Sequence, residues 1–303
     1  MPVCIRIAHE YEMVNQLTVN YIPAQRCEVQ IHDIEYRRHQ NESWKARIYP
    51  PRGNGPFPAL LDVHGGAWNG GTRTNNEVMD QALASSGIVV AAVDFRVAPA
   101  DPYPSQVADV NYATRWLKAH ATDFNAEPNS VGGLGSSSGG HTMMLSAMRP
   151  HDRRYASLAV PGGHMLDAAV LYVLCAWPVL DPYARYLYAQ EAGAERLVAS
   201  TEAYFLNQAT MREGNPQLIL ERGEKVELPP TLIVQGTADD NVPMSIPNNF
   251  VRAFRAAGGA IELETFPGMP HGFGNTPGPN SERAMELMKG FIARQLTKAA
   301  AIV

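Results

Sequence analysis

The residues Gly135-Ser136-Ser137-Ser138-Gly139 constrain the fold more than any other stretch of the chain. Residues 129–134, before them, are short enough for one buried strand, and residues 140–148, after them, have helical character. A strand, a sharp turn and a helix with Ser137 at the apex hold the serine in a strained backbone conformation. Side chains at the two glycines would collide with the neighbouring strand or helix. The sequence therefore predicts an exposed serine beside a helix N-terminus, which favours negative charge.

Length and composition indicate one large globular domain, or one domain with an inserted cap. The chain has 303 residues, a formal charge of −5 and 45% hydrophobic residues. This charge gives no argument for nucleic acid or an anionic membrane as a partner. The cysteines Cys4, Cys27 and Cys175 are too scattered for a disulfide framework. Because the start lacks a signal-peptide pattern and no apolar run reaches about 20 residues, we expect a cytoplasmic protein.

Hydrophobic periodicity predicts alternating strands and helices. Residues 27–36 and 44–49 alternate between apolar and polar, which is typical of half-buried strands, and they predict an antiparallel opening pair. Buried strands are then predicted at residues 59–63, 88–93, 129–134, 168–174, 232–234 and 261–266. Helices are predicted at residues 75–86, 105–120, 140–148, 245–257 and 281–297. This order indicates an α/β fold with a doubly wound, mostly parallel sheet and helices on both faces.

Two segments fall outside this alternation. Residues 177–228 carry aromatic-rich helical patterns and no strand, and they predict a helical cap inserted over the strand ends. An ordinary enlarged crossover helix is the alternative. Residues 1–25 show no clear period and predict a helical or irregular arm. The whole of residues 1–303 is thus expected to be a single domain with an arm and a cap-like insertion.

A base and an acid for the serine follow two later strands. A serine hydroxyl needs a base to take its proton, and the base needs a partner that fixes its tautomer. His271 follows the last predicted strand, and Asp239 follows the strand before it. Both loops lie at the sheet edge where Ser137 lies, and the order serine, aspartate, histidine suits this architecture. Asp240 is the alternative acid if the loop is one residue out of register.

The loop after residues 59–63 predicts an oxyanion hole. Gly65 and Gly66 have no side chains, so their N–H groups can approach a substrate oxygen, and the N–H of Ser138 completes the set. Trp68 and Trp177 either line the substrate pocket or pack in the core.

Other polar residues are assigned structural roles. Asp94 and Arg96 are expected to form an ion pair, His64 to brace the glycine loop, and His141 to pack in the helix after Ser137. The remaining histidines have no metal-ligand spacing; they are His9, His32, His39, His120, His151 and His164. We therefore expect no metal and no cofactor.

From about residue 44 onward the chain resembles the α/β-hydrolases of the hormone-sensitive-lipase-like carboxylesterase group. The residues that carry the resemblance are His64-Gly65-Gly66-Ala67-Trp68, Asp94 to Pro99, Gly135 to His141, Gly236 to Asp239 and His271-Gly272-Phe273. The resemblance implies Ser137 as nucleophile, His271 as base and Asp239 as its orienting acid. Lipase-like members usually carry Asp-Ser-Ala around the nucleophile. The Ser136-Ser137-Ser138 found here is closer to small bacterial acyl esterases and arylformamidases.

These features predict a serine carboxylesterase that hydrolyses short-chain acyl esters through an acyl-enzyme on Ser137. An arylformamidase acting on N-formylkynurenine is the nearest alternative, and a lactonase or amidase with the same triad is also open. A catalytically inactive ligand-binding receptor is the alternative from another class, although a receptor has no need of His271. The expected partner is a small-molecule ester or formamide, and a homodimer is left open.

Overall fold

A computed structural model describes residues 17–19, 21–39, 41–161 and 166–301. Its strands are β1 His32–His39, β2 Glu42–Tyr49, β3 Ala59–Val63, β4 Val89–Val93, β5 Gly132–Ser136, β6 Val173–Ala176, β7 Thr231–Gly236 and β8 Ile261–Phe266. Within the described residues they form one eight-stranded sheet in the order β1-β2-β4-β3-β5-β6-β7-β8. The strands from β4 to β8 in this order pair in parallel, and β2 pairs antiparallel with β1 and β4. The predicted α/β class and the antiparallel opening pair are confirmed.

Helices cover both faces of the sheet. They are α1 Glu77–Ala84, α2 Ser105–His120, α3 Ser138–Met148, α4 Pro182–Glu191, α5 Glu195–Phe205, α6 Gln208–Glu213, α7 Pro216–Glu221, α8 Ser245–Ala256 and α9 Pro279–Ala301. Successive residues of the buried strands point to opposite faces. Leu61 and Val63 therefore join the apolar cluster of α2, α3 and α8, whereas Leu60 joins that of α1 and α9. Burial on both faces explains why these strands are continuously apolar.

Several predicted strand boundaries were wrong. Strand β5 covers Gly132–Ser136 rather than residues 129–134, because residues 128–130 form a short 3-10 helix. Strand β1 begins at His32 rather than at residue 27, because Pro50 and Pro51 lie opposite the earlier residues and have no N–H to donate. Only the isolated bridge between Val29 and Pro51 forms there. Strand β6 begins at Val173 rather than at residue 168, because its neighbour β5 begins only at Gly132.

The segment between β6 and β7 contains helices α4 to α7, and its described residues include no strand. Its role as a cap remains a prediction. Residues 1–16 and 20 of the predicted arm lie outside the described residues. Residues 17–19 and 21–25 are irregular, and Leu17 packs into the apolar cluster of α1 and α9. In the part of the chain that is described, no helix is both long and apolar enough to cross a membrane.

Glycines in β5 allow neighbouring side chains to approach the strand closely. A Cβ atom at Gly132 would overlap the ring of Tyr172, and one at Gly133 would lie 2.6 Å from the sulfur of Met143. Glycine is a poor strand residue, and a close approach of this kind is the usual reason for finding it there. The space that β5 leaves is filled by Met143 of α3 at Gly133 and, at Gly132, by Tyr172, which precedes β6.

Two carboxyl groups are buried between β3 and α1. Asp62 and Asp80 are both inaccessible to solvent. One oxygen of Asp62 accepts a hydrogen bond of 2.8 Å from Asn76, while its other oxygen and both oxygens of Asp80 have no partner among the described residues. Burial raises the pKa of Asp62. Burial raises the pKa of Asp80, and repulsion from Asp62 raises it further. The pair therefore holds protons that the unfolded chain would release.

We expect Asp80→Asn to stabilise the protein relative to the wild type, and increasingly so as the pH rises above about 4. A carboxyl whose pKa is raised in the folded state lowers the free energy of unfolding at any pH where the unfolded chain has ionised it. Asn does not ionise, so the variant escapes this loss. The difference in the free energy of unfolding should grow by about 1 kcal/mol or more between about pH 5 and about pH 7. Urea unfolding at several pH values measures it.

The exposed Glu191→Gln, on α4 and remote from this pair, is the control and should shift stability by a constant amount. A difference between Asp80→Asn and the wild type that stays flat with pH would contradict the assignment of buried, protonated carboxyls.

Candidate active site

Ser137 occupies the turn between β5 and α3 in a conformation that L-residues rarely adopt. Its φ is 52° and its ψ is −120°. Gly139, two residues on, faces the end of β3, where a Cβ atom would overlap the carbonyl oxygens of Val63 and His64. The turn keeps its shape because its peptide groups are bonded on both sides: Ser137 donates to Ala176 (2.9 Å) and accepts from Val179 (3.0 Å). The strained serine predicted from the sequence is therefore present.

The structure brings Ser137, His271 and Asp239 into one hydrogen-bonded line. Nε2 of His271 lies 2.9 Å from Oγ of Ser137, and Nδ1 lies 2.8 Å from Oδ2 of Asp239. An ionised carboxylate only accepts, so Nδ1 carries the proton and Nε2 is left to accept from the serine. The side chain of Asp239 is fully buried, and that of His271 is 20% exposed.

Asp239 is held by three further hydrogen bonds. It accepts from the backbone N–H groups of Asn241 (2.9 Å) and Val242 (2.8 Å), and from the side-chain amide of Gln235 (2.8 Å). Asp240, the alternative acid, is exposed. No contact with His271 is found for it among the described residues. The fixed orientation of the Asp239 carboxylate in turn fixes the ring of His271.

The loop after β3 lies against the serine turn, but one of its predicted donors is already used. The N–H of Gly65 donates to Oγ of Ser136 at 3.0 Å, so it is not available to a substrate oxygen. This corrects the prediction for Gly65. In the described residues no acceptor is found for the N–H groups of Gly66, Ala67 and Ser138. Sequence patterns gave no sign of Ala67 as a donor; it lines the cavity and has a positive φ of 51°.

A buried polar chain supports this loop from behind. Oγ of Ser136 donates to Oδ1 of Asn76 (3.0 Å), and Nδ2 of Asn76 donates to Asp62 (2.8 Å). The ring of His64 donates to the carbonyl of Gly65 (2.7 Å) and stacks on Phe95 at 4.2 Å. Burial lowers the pKa of His64. A neutral His64 therefore braces the loop, as the sequence predicts.

The predicted ion pair between Asp94 and Arg96 does not form. Asp94 pairs with Arg73 (2.8 Å), and Arg96 pairs with Asp109 (2.8 Å). These partners lie 21 and 13 residues away in the sequence, on other elements of the fold. Both residues follow the end of β4, and each is held by a partner from another part of the chain.

A cavity of about 200 Å³ opens above Ser137 and His271. Its wall includes Trp177, as predicted, whose ring lies edge-on to His271 with centroids 6.3 Å apart. Trp68 does not line this cavity. It is 1% exposed and stacks on Tyr204 at 5.3 Å. The interpretation of Trp68 as a pocket residue was therefore wrong, because its positive φ of 62° turns the ring into the core beneath the insertion.

His141 ties three parts of the site together. Its Nδ1 accepts from the indole N–H of Trp68 (3.1 Å), and its Nε2 donates to the carbonyl of Gly214, in the insertion (2.7 Å). Burial lowers the pKa of His141 to about 4, so the ring is neutral at neutral pH. The oxyanion loop, helix α3 and the insertion are thus joined through one imidazole.

No metal site competes with this arrangement in the residues described: no three His, Cys, Asp or Glu side chains are grouped to hold an ion. His9, His164 and Cys4 lie outside the described residues. The hydrogen-bonded line of serine, histidine and aspartate supplies the activated nucleophile that covalent catalysis needs.

Comparison with known proteins gives relatives of one chemical class. The BD-FAE family model matches residues 47–254, more than half of the chain. Esterase LipC of Mycobacterium tuberculosis is 28% identical over 76% of this chain and 56% of its own length. The probable carboxylic ester hydrolase LipM of the same organism is 28% identical over 66% of this chain and 46% of its own length. The chain therefore spans about half the length of these curated relatives.

A solved structure of similar fold is esterase 2 of Thermogutta terrifontis phosphorylated by paraoxon. It is 25% identical, with a TM-score of 0.68 over 87% of this chain and 94% of that chain. The same esterase is also known with propionate and with butyrate bound. By its match over residues 47–254 and by the order of its sheet, the chain belongs to the BD-FAE family, of the α/β-hydrolase class.

Proposed function

We propose that the protein is a serine carboxylesterase that hydrolyses short-chain acyl esters through an acyl-enzyme on Ser137. The observation that carries the proposal is the continuous hydrogen-bonded line from Ser137 through His271 to Asp239. The esterase names of the relatives support the reaction class. The paraoxon adduct of the T. terrifontis esterase supports a serine nucleophile, because organophosphates phosphorylate activated serines.

In the first half of the reaction, Oγ of Ser137 attacks the ester carbonyl while Nε2 of His271 takes the hydroxyl proton. Asp239 stabilises the imidazolium that forms, because Nδ1 already donates to its carboxylate. Collapse of the tetrahedral intermediate breaks the bond to the alcohol oxygen, and His271 returns the proton to the departing alcohol. A water molecule then attacks the acyl-enzyme in the same way and releases the acid and Ser137.

Gly66, Ala67 and Ser138 are the oxyanion donors in this proposal. Their N–H groups have no acceptor within the described residues, and Ser138 is the first residue of α3, so the helix dipole adds to its effect. The chain from Ser136 through Asn76 to Asp62 positions the loop. Fixed donors of this kind stabilise the negative charge that develops on the carbonyl oxygen.

A short acyl group fits the space beside Ser137. The cavity is about 200 Å³, and Trp177, which is 2% exposed, forms a rigid part of its wall. The propionate and butyrate held by the T. terrifontis esterase are of matching size. We propose that helices α4 to α7 act as the cap. The cytoplasmic location, the homodimer and the absence of a cofactor remain predictions from the sequence.

We expect Ser137→Ala to lower kcat by about 10⁴- to 10⁶-fold without changing the free energy of unfolding by more than about 1 kcal/mol. The hydroxyl is the nucleophile and makes no other hydrogen bond that the fold needs. Hydrolysis of p-nitrophenyl butyrate and urea unfolding measure the two effects. Paraoxon should label the wild type once, at Ser137, and stoichiometric labelling of another serine would refute the assignment.

We expect Asp239→Asn to lower kcat by several orders of magnitude, because an amide in this place favours the wrong tautomer of His271. Asp240→Asn is the matched control. It changes the same functional group one residue away, on an exposed side chain, and should alter kcat only a few-fold. If Asp240→Asn has the larger effect, the acid has been assigned to the wrong residue.

We expect kcat/KM to be highest for acetyl to butyryl esters and to fall steeply for longer chains. Each methylene that fits adds up to about 0.8 kcal/mol of binding, and a methylene that does not fit costs at least as much. A series of p-nitrophenyl esters from acetate to decanoate, with N-formylkynurenine beside them, measures the preference. A maximum at octanoate or beyond contradicts the proposal, and N-formylkynurenine exceeding every ester about 100-fold would identify an arylformamidase.

A further inference from the structure

Two arginines of the insertion, Arg185 on α4 and Arg196 on α5, line the same cavity as Ser137 and His271. Neither makes an ion pair with any residue that the structure describes. Several arginines elsewhere pair with carboxylates, as Arg96 does with Asp109, but the buried Arg115 donates only to neutral oxygens. What sets Arg185 and Arg196 apart is that both unpaired charges line the cavity that holds the nucleophile.

Arg185 is the deeper of the two. It is 1% exposed, and its guanidinium lies over the ring of Trp68 at 5.2 Å. Its two Nη atoms donate only to neutral oxygens, to Thr201 at 3.1 Å and more weakly to Asn241 at 3.4 Å. Its buried Nε–H has no acceptor among the described residues. A buried charge that lacks both a counter-ion and a full set of hydrogen bonds is costly to the fold.

Arg196 adds a second charge near the first. It is exposed and it repels Arg185. Burial is the larger cause and this repulsion the smaller one that together lower the pKa of Arg185 to about 10. The guanidinium therefore stays charged at neutral pH. None of the described residues that line the cavity is Asp or Glu, although the chain as a whole has a charge of −5. The wall around the reacting atoms is therefore locally cationic.

We propose that Arg185 and Arg196 bind a carboxylate of the substrate, so that the esters hydrolysed are those of dicarboxylic acids or of hydroxy acids. A carboxylate supplies the missing counter-ion, and its two oxygens match the paired N–H groups of a guanidinium edge. The exposed Arg196 draws the anion to the cavity, and the buried Arg185 orients it beside Ser137. The inference rests on the proposed esterase activity and adds the substrate class to it.

Two pairs of esters that differ in charge and hardly in shape test the proposal. Monomethyl succinate and methyl succinamate carry the carboxylate or the carboxamide on the acyl side. Acetoxyacetate and acetoxyacetamide carry it on the alcohol side. The wild type should prefer the carboxylate in at least one pair by about tenfold in kcat/KM, chiefly through KM. The rate of each ester with hydroxide alone corrects for intrinsic reactivity, and the preference should weaken as salt is added.

Arg196→Gln should reduce this preference, and Arg196→Glu should abolish or reverse it. Because Arg196 is exposed, these variants test the inference without removing the buried Arg185. Arg212→Gln is the matched control: Arg212 is an exposed arginine of the same insertion whose guanidinium lies 3.8 Å from the ring of Tyr183, outside the cavity. It should keep the wild-type ratio.

The outcomes distinguish a failure of the carboxylate preference from a failure of the esterase activity. Hydrolysis of p-nitrophenyl butyrate without a carboxylate preference in either pair overturns the inference and leaves the esterase proposal standing. A preference that Arg196→Glu does not change overturns the joint assignment to Arg185 and Arg196, because Arg196 then has no part in it. If no ester is hydrolysed at all, the proposed function itself fails.

Discussion

The site depends on a backbone contact between α3 and the end of β3. No side chain lies between them, because Gly139 faces the carbonyl oxygens of Val63 and His64 directly. The contact places the first turn of α3 beside the loop that follows β3, directly after Ser137 in its strained conformation. The reaction needs the serine hydroxyl and the free N–H groups at one point. They can come together there because Gly139 has no Cβ atom. Glycine is required here for close approach, and its flexibility is incidental.

The parts of the site that follow from topology could be predicted from the sequence. In a parallel sheet the loops after successive strands meet at one edge, so Ser137, Asp239 and His271 were predicted to converge before any distance was known. The bounds of β3, α2 and β8 were also predicted, because each has a continuous apolar or helical pattern between clear breaks. The local sequence indicates these bounds because the burial of a strand or helix determines its pattern of apolar residues.

What could not be predicted depends on contacts between distant parts of the chain. Whether the N–H of Gly65 is free depends on a hydroxyl 71 residues away. Whether Trp68 faces substrate depends on the aromatic residues of the insertion that receive it. The partners of Asp94 and Arg96 were missed for the same reason, since proximity in sequence says little about ion pairs on a strand end. Patterns locate the elements of a site, but side-chain partners decide how each group is used.

The electrostatics of the site are arranged in layers. Behind the oxyanion loop lie the carboxyls of Asp62 and Asp80, whose pKa values burial raises, and the line through Ser136 and Asn76 connects Asp62 to the serine turn. In front lies a cavity whose charged wall residues are arginines. The raised pKa values behind reduce the negative charge near the reacting carbonyl, and the arginines in front favour the negative charge that develops on its oxygen.

The imidazole of His141 has a consequence for how such proteins can be recombined. It accepts from Trp68 and donates to Gly214, so one ring sets the distance between the oxyanion loop and the insertion. An insertion taken from a relative has to offer a carbonyl oxygen at the position of Gly214, or the tryptophan loses its support. The segment that surrounds the substrate is therefore not an independent module: its exchange alters the catalytic loop as well as the pocket.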